Sequence, residues 1–214
     1  MTRSTVDENS RKLRKLFVQL VSGALVGGVV GYFGMSQLDP KAMQVDQILT
    51  SGVGIIYLLT GGIVGLGLLS PKLGSKFLNV EDAEEISEQR RVLTGSTISM
   101  VALGLALIAL ANAGPDRAIS PTMGFLAIVV ALFVSVVVSF RDWRFYDEMM
   151  RGLSRDAGNI AFCIVGSVIL LWGAAASIGM AVTPTPLMLV SLVSGGLLLA
   201  AFVAAGRAGL MMPR

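Results

Sequence analysis

Histidine is absent from this 214-residue chain, and cysteine occurs once, as Cys163. Without imidazole there is no general base of the commonest kind and no histidine metal ligand. A lone thiol excludes an intrachain disulfide and a thiolate metal cluster. Charge is scarce as well: 14% of residues are charged, against roughly 25% in a typical soluble domain. The 14 acidic residues all fall outside the long apolar runs, and none remains for the interior of one. That excludes the intramembrane carboxylates that mark proton relays and ion pumps. All seven prolines stand in loops, at the first residue of an apolar run or in the tail, so proline-broken transporter helices are not signalled. No nucleophile-elbow, Walker or dinucleotide fingerprint is present. The chain is therefore not expected to be an enzyme or to carry a cofactor or metal.

What is abundant is apolar surface, with 54% hydrophobic residues and a mean hydropathy of +0.75. Runs of about 20 apolar residues are needed to cross about 30 Å of hydrocarbon. Six such runs occur, at 16–35, 48–69, 93–113, 121–140, 158–181 and 186–206. They are continuously apolar rather than alternating, which predicts internally hydrogen-bonded helices and not a sheet barrel. The expected fold is all-α: a polytopic integral membrane protein with six transmembrane helices. A cytosolic N-terminal segment over 1–15 precedes the bundle of 16–206, and a cytosolic tail of 207–214 follows it.

Assigning alternate loops to one side leaves only Lys41 and Arg117, of the 17 basic residues, on the opposite side. Cytosolic loops hold the Lys/Arg excess, so both termini are expected in the cytosol. The first run has no small-x-small cleavage site after it and is expected to remain as a span. With no targeting extension, the expected location is a bacterial inner membrane. The pI near 9.3 follows from loops that face lipid headgroups, and nucleic acid is not an expected partner.

Small residues recur at helical spacing. The first run carries Gly23, Gly27 and Gly31 in steps of four, and the second carries Gly54, Gly61 and Gly65. Such stripes let helix backbones approach closely in lipid, and these two spans are expected to pack on each other. The fourth run, almost purely aliphatic, reads as the most lipid-exposed helix.

A charged lead-in precedes spans one, three and five. Asp7-Glu8, Arg11, Leu13 and Lys15 are echoed by Asp147-Glu148, Arg151, Leu153 and Arg155, and more faintly by Glu84-Glu85, Glu88 and Arg90-Arg91. Short cytosolic interfacial helices are expected before spans 3 and 5. In the second of these, Trp143, Tyr146, Met149, Met150 and Leu153 form an apolar stripe at steps of three or four. With Arg151 and Arg155 they make a candidate surface for docking a partner. The simpler role is an interfacial helix lying on the headgroups.

The expected function is that of a structural or accessory membrane protein, acting through helix packing and through cytosolic docking to partner proteins, lipids or a second copy of itself. The alternative is a facilitator or channel for a small neutral solute, its path lined by hydroxyls such as Tyr57, Thr60 and those of the third span. The hydroxyls serve equally as interhelical hydrogen bonds, at about 0.6 kcal/mol per contact.

Overall fold

A computed structural model describes residues 44–69, 89–115, 117 and 119–210. The first apolar run with Gly23, Gly27 and Gly31, the lead-in at Asp7 to Lys15 and the acidic run before Arg90 lie outside the described residues. Within them the chain is helical: α1 (Val45–Leu69), α2 (Arg90–Ala111), α3 (Pro121–Asp142), a 3-10 turn (Trp143–Phe145), α4 (Glu148–Ser177) and α5 (Pro186–Arg207). All five are long and apolar enough to cross a membrane, as in a multi-pass helical membrane protein.

Local chemistry sets where the helices begin. Ser120-Pro121 and Thr185-Pro186 use the same device: a hydroxyl caps the helix by accepting from the amide of Met123 or Met188, and proline fills the first helical position, where no amide is needed. Asp147 starts α4 in the same way, accepting from the Met150 amide at 2.6 Å. Two helices end on glycines in the left-handed region, Gly179 (φ 76°) and Gly209 (φ 75°). At each, two successive amides fold back onto carbonyls of the last turn, as in Met180 N to Ala175 O at 2.9 Å.

The helices pack in the order α3, α2, α1, α5, α4, with α1 bridging the two groups. Close backbone approach joins α1 to α2: a Cβ on Gly54 would lie 2.8 Å from the Gly104 carbonyl, and one on Gly104 2.7 Å from that of Gly54. Further along, Gly61 faces Met100 and Gly65 faces Thr97. The glycine stripe of the second span therefore receives the third span; its expected packing on the first span lies outside the described residues. Where α1, α2 and α5 converge, Tyr57, Leu107 and Leu198 form the buried core.

Two expectations are corrected. The fourth run is not the barest helix, because α4 buries a smaller share of its apolar length than α3 does. At the middle of α3, Ala131 is turned inward and is 3% exposed. The lead-in of the fifth span also differs from a separate interfacial helix. From Glu148 it is already the first part of α4, whose 30 residues extend about 45 Å at 1.5 Å each. That exceeds the hydrocarbon thickness by about ten residues, so the charged turns project beyond the apolar segment.

Candidate functional site

The two ends of the bundle differ in chemistry. At one end lie Arg90, Arg91, Arg141, Arg144, Arg151, Arg155 and Arg207, and at the other Asp46, Arg117 and Thr185. Each end contains a polar arrangement that composition alone does not disclose.

At the arginine-rich end, Asp142 closes α3 and is 2% exposed. Arg141 donates from Nε to its Oδ1 at 2.8 Å and from Nη2 to its Oδ2 at 3.3 Å. From the start of α2, Arg91 places Nε 3.7 Å from the same Oδ1. Its guanidinium also stacks over the Phe145 ring, 3.9 Å from the centroid. The carboxylate fits because Gly95 on α2 presents no side chain; a Cβ there would collide with Asp142 and Val138. The acid census leaves no carboxylate inside an apolar run; Asp142, two residues past the fourth run, is nonetheless buried by the packing of α2. Burial, and then the charge of Asp142, hold the Tyr146 hydroxyl above its ordinary pKa, so Tyr146 is neutral at physiological pH.

The candidate docking residues divide between two environments. Trp143 belongs to the 3-10 turn, its ring 5.7 Å from that of Tyr146. Tyr146 and Asp147 are then extended, which breaks the helix. Trp143 and Tyr146 therefore share no helical stripe with Met149, Met150 and Leu153. Asp147 caps α4, its side chain accepting from the Met150 amide. Met149 and Leu153 line a half-open groove of about 460 Å³ between α4 and α5, with Gly152, Asp156, Asn159 and Ile160 beside them and Ala204, Arg207 and Ala208 opposite. Arg151 and Arg155 are exposed outside the groove, and Met150 is half-buried. The polar lining of Asp156, Asn159 and Arg207 had not been singled out. Its only sequence signal is that Asp156 and Asn159 lie about one turn apart, on either side of the start of the fifth run.

At the opposite end, a polar seam joins α1 to α5. Asp46, 7% exposed in the first turn of α1, accepts from the Thr185 hydroxyl at 2.7 Å. Thr50 and Ser191 share a hydrogen bond at 2.6 Å, and Tyr57 donates to the Ser194 carbonyl at 2.9 Å. Arg117 reaches Gln47 Oε1 at 3.1 Å. Thr60 turns back onto its own helix, donating to the Ile56 carbonyl. Thus Thr50, Tyr57, Ser191 and Ser194 bond across helices or along them, while the buried hydroxyls of Ser51 and Thr97 have no hydrogen-bond partner among the described residues.

No family model matches the chain, and no curated protein or solved structure matches it.

Proposed function

We propose that this chain is a structural or accessory protein of a bacterial inner membrane, working through helix packing and through docking of partner proteins or lipids at its arginine-rich end. One observation carries the reading. Inside the bundle Gly54 meets Gly104, Thr50 bonds Ser191 and Tyr57 bonds the Ser194 carbonyl, all between helices, whereas the arginine-rich end presents an open, mixed polar and apolar groove beside exposed guanidiniums. The positive-inside rule places that end in the cytosol.

The test is purification of the full chain in mild detergent from its native host, with identification of what travels with it. A stoichiometric protein lost on Leu153→Asp, a substitution in the groove, is the expected result. Reconstitution supplies the opposing test, because a facilitator draws support from the buried Ser51 and Thr97 hydroxyls, which have no partner among the described residues. Liposomes containing the protein should be no leakier to small neutral solutes than empty ones. Selective flux abolished by Tyr57→Phe would overturn the accessory role.

A further inference from the structure

The guanidiniums around Asp142 form more than an ion pair. Asp142 engages Arg141 through Nε and Nη2 and draws Arg91 through Nε, yet the two arginine side chains stay 50% and 52% exposed. Each retains terminal N–H donors that a single carboxylate does not occupy. Arg90 and Arg144, exposed chain neighbours of this pair, add two more cations. Among the described residues, one buried acid thus holds in place a patch with an excess of positive charge.

Directly along α3 from Arg141 runs an apolar track. Val137, Phe133, Val130 and Leu126 follow at steps of three or four and are 47%, 69%, 52% and 56% exposed. Residues at that spacing share one face of a helix. A ligand matched to both features has an anionic oxygen-rich head and a long apolar tail parallel to α3. A free phosphate would leave the track unused, and a neutral lipid the cations.

We propose that Arg91 and Arg141, positioned by Asp142, bind the phosphate of an anionic glycerophospholipid whose acyl chain lies along Leu126, Val130, Phe133 and Val137. This deepens the lipid-docking part of the proposed function and rests on it. Arginine suits the role because its planar fork pairs two N–H groups with phosphate oxygens. Asp142 is a positioning residue: it fixes the two guanidiniums without touching the lipid.

The experiment uses the full chain in nanodiscs of phosphatidylcholine alone or with phosphatidylglycerol, followed by native mass spectrometry of retained lipid. Selective retention of phosphatidylglycerol is expected. Each Arg→Gln change should lower it by about fivefold, from the worth of one basic residue at an anionic surface. Because Arg91→Gln and Arg141→Gln strip partners from a buried acid, Arg91→Lys is measured beside them: it keeps the charge but loses the fork, and should still reduce retention. The equally charged pair Arg151→Gln/Arg155→Gln, away from Asp142, should reduce it less than Arg91→Gln/Arg141→Gln. Equal loss from both pairs would mean a general surface charge and overturn the site. So would retention unchanged in Arg91→Lys, or competition by inorganic phosphate as effective as by the lipid. Partner capture through Leu153→Asp is scored separately, so loss of lipid selectivity with the partner retained would sink this inference and leave the docking role standing.

Discussion

At the scale of single residues, the decisive feature is how closely backbones meet. Gly54 and Gly104 face each other with each α-carbon near the other's carbonyl, so neither can gain a methyl group without separating α1 from α2. Gly52, two residues away, has open space where its Cβ would be. Gly54→Ala should therefore destabilise by about 1–3 kcal/mol, as overpacking does. Gly52→Ala should be neutral or stabilising by up to about 1 kcal/mol through lower unfolded-state entropy. Thermal unfolding of the two variants in one detergent measures the contrast, and equal midpoints would contradict the close approach. The glycine spacing at 54, 61 and 65 discloses a packing face in the sequence. It does not disclose the partner, because any neighbouring helix satisfies the same spacing. Asp142 was illegible for a related reason: the room for its carboxylate comes from Gly95, on another helix and distant in sequence. Ala131 marks a third limit. The fourth run is apolar on all sides, and where lipid and protein interior are equally apolar, hydropathy cannot tell the inward face from the outward one.

Helices as elements were far more legible, because their starts are written in short local signals. Ser120-Pro121 and Thr185-Pro186 mark the beginnings of α3 and α5, and the described helices follow the predicted apolar runs closely. The lead-in of the fifth span was the exception. Its stripe from Trp143 to Leu153 fits helical periodicity, yet the Asp147 side chain captures the Met150 amide and sets a new helix start within it. Local side-chain capping of this kind competes with helix continuation. Asp147→Ala should then cost about 0.5–2 kcal/mol, the usual loss of an N-cap. The loss should concentrate in the first turns of α4, so amide hydrogen exchange at 148–152 is expected to accelerate while the middle of α4 is unchanged. Unaltered exchange there would show that the cap does not define the helix start. The continuity of α4 also joins the groove at Met149 and Leu153 rigidly to the apolar segment. A molecule docked in the groove therefore contacts an element that extends the full depth of the bundle.

The whole molecule is polarised. Arg90, Arg91, Arg141, Arg144, Arg151, Arg155 and Arg207 gather at one end of the described helices, whereas Arg117 stands at the other beside Gln47. The polarity follows from the antiparallel order of the helices together with the positions of these residues in the chain. A membrane that retains basic loops on its cytosolic face would fix such a bundle in one orientation. Thr183 and Ser154, both exposed, lie on opposite sides of the apolar part of α4. In a Cys163→Ser background, Thr183→Cys should react with a membrane-impermeant maleimide applied outside intact cells. Ser154→Cys should react only after the membrane is opened. The reverse pattern would invert the orientation and move both the groove and the arginine patch to the outer face. Labelling of both sites from outside would mean that α4 does not cross the bilayer. The expected pattern would place the Asp142 cluster on the leaflet whose anionic lipids face the cytosol, where each exposed guanidinium gains about 1 kcal/mol from the surface potential. Orientation and lipid recognition would then share a physical source, since Arg91 and Arg141, which Asp142 holds in place, are among the arginines that satisfy the threading rule.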